Sequence, residues 1–342
     1  MTGEPIKLAE STELSSLGVL HLKRFWEKSL LKRSGKLETG AFKDEWKIDT
    51  TLLAVLGLGL EQTLRYQFES PGEFQEFENW ILTVNKAGLN RDKIEEFNNY
   101  ILNRNTTRQE AEPRNNILTD EDMDFWNAHG YVIIRNAVSK EDCENAIKAI
   151  CDFIEIKRDD PSTWYHPHPS RQGIMVQLFQ DPALEKNRRS LPIRSAYEQL
   201  WQRTDLWVNT DRAGFNPPET ERWKFPRPRL HWDVSLELPI PFGLQGILYL
   251  SDTAANQGAF TLVPGFQNKI GTWIKNLRPN VNPRNEDIYA LGAIPVAANA
   301  GDFIIWHHAL PHGSSPNTSS LPRFVQYINL EPLDAVVSEN WI

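Results

Sequence analysis

The chain has 342 residues, 40% of them hydrophobic and 24% charged, ordinary proportions for a globular protein with room for two domains or one large domain and an appendage. Its formal net charge of -8 argues against a surface built to neutralise nucleic-acid phosphates. No apolar run approaches the roughly eighteen residues of a membrane span, and the opening Met-Thr-Gly-Glu-Pro lacks the basic and apolar blocks of a leader peptide.

Residues 1–105 read as a small all-helical region. Leu14, Leu17, Leu20, Phe25, Leu30 and Leu31 supply one apolar set, and Leu52 to Leu64 another, broken by Gly57 and Gly59. Ser70-Pro71 is expected to open a helix carrying Phe74, Phe77, Trp80, Ile81 and Val84 at three- and four-residue spacing. A last helix runs from Asn90 through Ile94, Phe97 and Ile101. Nothing here suggests chemistry. A bundle packed for its own sake is the simpler reading, and a module docking a partner or carrier is the alternative. The polar stretch 106–117 is expected to be a linker.

From residue 118 to 342 a second domain is expected. Thr119-x-x-Asp122 has the form of a capping box, and Gly130 ends its helix. Tyr131 to Ile134 reads as a strand, and Ser139 caps a further helix with Cys143 and Cys151 on its apolar face. These two cysteines are the chain's complement. They lie about 12 Å apart at helical rise, too far to bridge, and read as core thiols of a reducing, cytoplasmic compartment. From about residue 160 the texture changes to short strands among prolines, glycines and long loops, as in an all-β sandwich or barrel. The expected strands are 206–210, 246–250, 259–263, 302–306 and 324–330.

One stretch of this region suggests chemistry. In His231-Trp232-Asp233, an extended backbone points the first and third side chains to one side. If a second histidine joins them, two imidazoles and a carboxylate take one face of an octahedron and leave three positions open, the ligand set of non-haem Fe(II) oxygenases. A bare His-x-Asp arises often by chance, so the company matters. His312-Gly313-Ser314 follows 81 residues later and Arg323 eleven beyond that. A strand pair would carry Arg323 deep into a barrel, where an unpaired guanidinium is costly. A planar cationic fork suits a bidentate carboxylate, and 2-oxoglutarate offers one while its keto-acid end chelates a metal.

Taken in order, these motifs resemble the phytanoyl-CoA dioxygenase family of Fe(II)/2-oxoglutarate oxygenases. The resemblance runs from about Leu118 to Leu330, through His129-Gly130-Tyr131, Leu206-Trp207-Val208, Asp211-Arg212, His231-Trp232-Asp233, Gln245 to Leu250, Asn256 to Phe260, Val263 to Phe266, and Gly301-Asp302 to Arg323. It implies an α+β chain whose catalytic core is a double-stranded β-helix, or jelly roll, with flanking helices. It makes His231, Asp233 and His312 the iron ligands and catalytic centre, and Arg323 the clamp for the cosubstrate's distal carboxylate. Ser314 would assist that clamp, and Tyr249 would line the same pocket. Iron(II), 2-oxoglutarate and dioxygen are the implied cofactor and cosubstrates. The implied reaction is hydroxylation of a small organic molecule with release of succinate and carbon dioxide. Since relatives that halogenate lack the carboxylate, Asp233 favours hydroxylation.

His307 and His308 compete for the third ligand position, but the spacing from Gly301-Asp302 favours His312. Trp164, Tyr165, His166, His168, Arg171 and Gln177 are expected in a loop that covers the substrate, with Trp232, Trp306 and Phe242 as walls. Many members carry histidine soon after the Pro-Gly turn, where this chain has Phe266-Gln267-Asn268, a departure that bears on substrate contacts. Two other readings remain: a metal- or ligand-binding member without turnover, and a zinc hydrolase on the same ligands.

Overall fold

The computed structural model describes residues 8–38, 40–69, 72–86, 88–103, 115–226, 230–279, 281–338 and 340–342. The chain divides into two compact units, Met1–Glu110 and Ala111–Ile342. The expected linker 106–117 lies largely outside the described residues, as does the Ser70-Pro71 helix start. Among the described residues, no helix is long and apolar enough to cross a membrane.

Among its described residues the first unit holds five α-helices, α1 (Leu22–Arg33), α2 (Trp46–Val55), α3 (Leu60–Glu69), α4 (Phe74–Val84) and α5 (Arg91–Leu102). The apolar stretch 52–64 splits because Gly57 takes a left-handed φ of 63° between α2 and α3, a conformation that glycine adopts freely. Glu73 and Glu76 close a capping box at the start of α4, and the Asn90 side chain caps α5. An aromatic stack runs from the buried Trp26 and Phe77, 4.8 Å apart between centroids, to the half-buried Tyr66 and Trp80, 4.3 Å apart. Beside it lies a buried ionic cluster. Lys28 Nζ donates to Glu45 at 2.6 Å and to Asp49 at 2.7 Å, Arg24 forks onto Glu45, and the fully buried His21 meets Asp49 at 2.9 Å.

The second unit begins with α6 (Asp120–His129), capped by Thr119 and ended by Gly130 at φ 75°. Strand β1 (Tyr131–Ile134) and α7 (Lys140–Phe153) follow as the sequence indicates. Next come the short strands β2 (Arg171–Gln172) and β3 (Met175–Val176). The helices α8 (Pro182–Arg188) and α9 (Leu191–Trp201) were not expected, although Asp181 and Ser190 cap them ahead of a proline in the first turn. The remaining strands are β4 (Leu206–Val208), β5 (Ala213–Asn216), β6 (Leu244–Tyr249), β7 (Phe260–Leu262), β8 (Ile294–Val296), β9 (Phe303–His307), β10 (His312–Ser314), β11 (Arg323–Tyr327) and β12 (Leu330–Pro332), with α10 (Ile270–Lys275) between β7 and β8.

Pairing is antiparallel throughout these ladders. A seven-stranded sheet runs β1-β9-β6-β11-β5-β3-β2, a three-stranded one β10-β7-β8, and β12 pairs with β4. One face of the large sheet packs on α7 and α9 through Phe215, Phe303, Ile305 and Phe324. The other face turns Ile247, Tyr249, Ile304, Trp306 and Val325 towards Phe260 and Leu262 of the small sheet. The candidate site sits on that inner side. Cys143 and Cys151 are buried and free, and burial pushes their thiols up to about 12 and about 11, which leaves them inert.

The motif Gly301-Asp302 fixes the entry to β9. Gly301 has φ 90°, and a Cβ there would meet the Val138 carbonyl oxygen at 2.3 Å. Asp302 is buried and accepts from the Arg135 guanidinium and from the backbone N–H groups of Asn136 and Asn299. With its start held this way, β9 keeps a fixed register on β6, with Gln245 opposite Trp306.

Candidate metal centre

His231 does not lie in a regular strand; it forms a single antiparallel bridge with His312. Each residue donates its backbone N–H to the other's carbonyl, at 2.9 and 3.0 Å. A pair that exchanges both hydrogen bonds has its side chains on one face, and the two imidazole centroids are 4.9 Å apart. Asp233, two residues on, turns to the same face. Its Oδ1 is 3.3 Å from His231 Nε2 and its Oδ2 is 3.3 Å from His312 Nε2. One donor atom from each of these residues falls within a 4.8 Å span. Ligands at right angles around an ion with bonds of about 2.1 Å would stand about 3 Å apart, so the spacing fits one cation.

The protonation pattern calls for that cation. His312 Nδ1 lies 3.0 Å from the Leu310 carbonyl, an acceptor that keeps a proton on Nδ1, so Nε2, the nitrogen that faces Asp233, is the one that would give up its proton and offer a lone pair to an ion. Burial pushes the Asp233 carboxyl up, but its hydrogen bonds with His231 and His312 outweigh this and hold it well below the usual carboxylate range. Asp233 is therefore an anion surrounded by nitrogen donors. His312 is almost fully enclosed while His231 and Asp233 are about half exposed, with side-chain exposures of 5%, 47% and 50%. An ion held here would be approached from the His231 and Asp233 side.

Two further contacts steady the carboxylate. Gln245 of β6 donates from Nε2 to Asp233 Oδ2 at 2.7 Å. Arg284 donates to the carbonyls of Trp232 and Val234 at 2.8 and 2.5 Å, gripping the backbone on both sides of Asp233. Sequence reasoning gave neither residue a role. Gln245 lies inside a quoted motif, but a neutral amide carries no chemical signal of its own, and Arg284 lies 51 residues from Asp233 with no pattern to connect them.

The other grouping of potential ligands, His21, Glu45 and Asp49, does not invite a metal. Lys28 Nζ already stands between the two carboxylates.

Arg323 opens β11 and is fully buried. Its Nη2 donates to Ser314 Oγ at 3.0 Å, while Nε and Nη1 are buried without a partner among the described residues. Asn216, opposite Arg323 in the ladder and also fully buried, has an equally unpartnered Oδ1. Buried N–H groups of a cation without an acceptor are costly, and a carboxylate supplies what they lack. Ser314 lies two residues beyond His312 on β10, a step of about 6–7 Å along a strand, so the candidate metal centre and Arg323 share a wall. Tyr249 lies beside the Arg323 guanidinium, which pulls its phenol down against the larger effect of burial. Its hydroxyl donates to the Val296 carbonyl and accepts from the Phe260 N–H, both at 2.8 Å. It braces β7 and β8, and burial pushes its phenol up to about 12.

The expected substrate contacts divide. Trp306 stands beside the centre, with its ring 5.1 Å from His312 and 4.3 Å from Phe260. Trp232 does not line the open side. Alternation turns it away from its two neighbours, and it is buried against Phe266 and Trp273 with its indole N–H on the Ala309 carbonyl. Trp164 is likewise core, buried on the helix-facing side of the large sheet with its N–H on the Lys157 carbonyl. Arg171 lies over Phe215 on that same side and binds the carbonyls of Trp164 and Gly173, so it fastens a loop. His166 is exposed and Gln177 is half-buried. His307 points elsewhere than the trio. It packs near Trp126 and Phe242, its Nδ1 accepts from Ala309 N–H, and burial beside His308 brings it down to about 3. His308 bonds the Pro241 carbonyl. Of these histidines, His312 is the one grouped with His231 and Asp233.

Comparison with known proteins adds the following. Residues 126–325 match the family described as phytanoyl-CoA dioxygenase (PhyH). A putative phytanoyl-CoA dioxygenase of Dictyostelium discoideum is 26% identical over 267 residues, covering 63% of this chain and 76% of that protein. Among solved structures, GlcNAc Inducible Gene 2 from Candida albicans is 14% identical with a TM-score of 0.49, over 63% of this chain and 65% of that one, so the match spans just under two thirds of its length. EctD from S. alaskensis with bound Fe is 14% identical with a TM-score of 0.48, over 68% of this chain and 82% of that one.

Proposed function

The chain belongs to the phytanoyl-CoA dioxygenase family, and we propose that it is an Fe(II)/2-oxoglutarate-dependent dioxygenase that hydroxylates a small organic substrate. The architecture we infer for the second unit is the double-stranded β-helix, spanning 118–342 after a linker at 106–117, with the helical region 1–105 as a separate module. The carrying observation is a pairing of two needs. The trio His231, Asp233 and His312 is arranged for one cation, and the guanidinium on the adjoining strand has two buried N–H groups without an acceptor. A metal-chelating dicarboxylate meets both. A zinc hydrolase would have no use for Arg323.

When bound, iron and 2-oxoglutarate supply oxidative decarboxylation to succinate and carbon dioxide, with one oxygen atom of dioxygen going to the substrate. The protein's own share is placement. His231 and His312 offer Nε2 lone pairs, the second fixed by its Nδ1–H on the Leu310 carbonyl. Asp233 adds one negative charge and leaves three coordination positions free. Arg323 and Ser314 would hold the distal carboxylate, the first by a charge-assisted fork. Trp306 and Phe260 wall the centre with apolar surface, which keeps water away from the reacting atoms. The retained carboxylate of Asp233 favours hydroxyl transfer over halide transfer.

The test is anaerobic addition of Fe(II) and then 2-oxoglutarate, read as a weak visible charge-transfer band. It should form with the intact protein and be absent in His231→Ala. No band at saturating cosubstrate would overturn the assignment.

A further inference from the structure

Gln245 is fixed in orientation by chemistry. A carboxylate only accepts, so the group that meets Asp233 Oδ2 at 2.7 Å must be the amide nitrogen, and Oε1 must face away. That Oε1 is buried without a partner among the described residues. An unpaired buried carbonyl is a cost that methionine or leucine in the same space would avoid, and it gives the fold nothing in return. What the amide does supply is a donor aimed at one of two carboxylate oxygens.

Each oxygen of Asp233 faces one imidazole at 3.3 Å, and only Oδ2 has a second donor, so we propose that Gln245 is a positioning residue that keeps Asp233 a one-oxygen metal ligand, by engaging Oδ2 so that Oδ1 is the oxygen offered to the ion. The inference rests on the dioxygenase reading above and deepens it. Its importance follows from counting positions. Two imidazoles and one oxygen occupy three of six octahedral sites and leave three. A chelating keto acid uses two, and one remains for dioxygen. If both oxygens of Asp233 bound the ion, only two sites would be left, and the keto acid would fill them. The restraint is mounted on rigid ground. Gln245 is paired with Trp306 of β9 in the middle of the seven-stranded sheet, while Arg284 holds the backbone on the other side of the same carboxylate.

The test uses the full chain with Gln245→Met, which matches the side chain in length but has no donor, and Gln245→Leu as a second variant. The first readout is Co(II) affinity without 2-oxoglutarate, which should fall about 10- to 100-fold in both variants, as is usual on loss of a contact that orients a ligand. The melting temperature of the metal-free protein should stay within about 2 °C. The second readout is the Fe(II)/2-oxoglutarate complex at saturating Fe(II). Its charge-transfer band should still form in the variants, but its decay on admission of air should slow at least about tenfold, by analogy with the same class of contact. Wild-type Co(II) affinity retained in both variants, with unchanged decay in air, overturns the role of Gln245 and leaves the dioxygenase reading standing. Parallel losses of metal-free stability and metal affinity in both variants mean a structural role and overturn it too. If the wild-type chain binds neither Co(II) nor Fe(II), the underlying reading itself fails.

Discussion

Arg323 Nη2 and Ser314 Oγ are joined by a 3.0 Å hydrogen bond across two adjoining β-sheets, and this bond fixes the direction in which the rest of the guanidinium points. Its Nε and Nη1 are the donors left over. Arg323→Met should therefore weaken 2-oxoglutarate binding about 30- to 150-fold, the equivalent of about 2–3 kcal/mol for a charge-assisted fork. Iron binding should be unchanged. Titration of each ligand separately checks this, and an equal loss of both would make Arg323 a purely structural cation.

Tyr249 gives the opposite pattern. Its hydroxyl satisfies the Phe260 N–H and the Val296 carbonyl, so Tyr249→Phe leaves two buried backbone groups unpaired. Stability should fall by about 1–3 kcal/mol, while 2-oxoglutarate affinity in the still-folded protein changes less than twofold, about 0.4 kcal/mol. Denaturant melts read beside cosubstrate titrations decide between a brace and a binding residue.

The helical unit should be sensitive to pH. Burial lowers the pKa of His21 from its ordinary 6.5, against the opposing pull of Asp49. The folded chain thus resists a proton that the unfolded chain accepts, and stability present above pH 6.5 is lost as the pH falls below it. Glu45 adds a later step. Burial raises its pKa, but the hydrogen bonds from Arg24 and Lys28 prevail and bring it to about 2 from 4.5, so the stability it contributes is lost as the pH falls from 4.5 towards 2. Hydrogen exchange of α1 amides at pH 8, 6.5 and 5, values chosen around that ordinary pKa, should show faster opening as pH drops. His21→Gln should remove the first step and keep the second.

Arg284→Ala tests whether the backbone around Asp233 must be held. Loss of the two bonds to Trp232 and Val234 should weaken Co(II) binding about tenfold, as expected for a contact that orients a ligand indirectly. Removing a rim cation without this role would leave metal affinity where it was.

Much of the second unit can be read from the sequence where a local rule dominates. Thr119, Gly130 and Ser139 mark helix ends because capping is a property of a few adjacent residues. Strands β6, β9 and β11 show as apolar runs because they are buried on both faces. The pairs β2 and β3 are two residues each, too short for alternation to register. Helices α8 and α9 carry clear caps at Asp181 and Ser190, and were obscured by prolines that belong to their first turns. At the site, His231, Asp233, His312 and Arg323 stand out because their side chains have special chemistry. Gln245 and Arg284 matter through where a partner happens to be, and only the assembled sheets show that. Trp232 and Trp164 mislead for the converse reason, since a large aromatic near a motif is as well suited to filling a core.

The unsatisfied guanidinium has a practical corollary. If Arg323 holds the cosubstrate's carboxylate, other small carboxylic acids that fit between the sheets should bind there too, with or without iron. Succinate or glutarate alone should raise the melting point, and citrate or acetate in a purification buffer would compete in the very assays used to measure turnover.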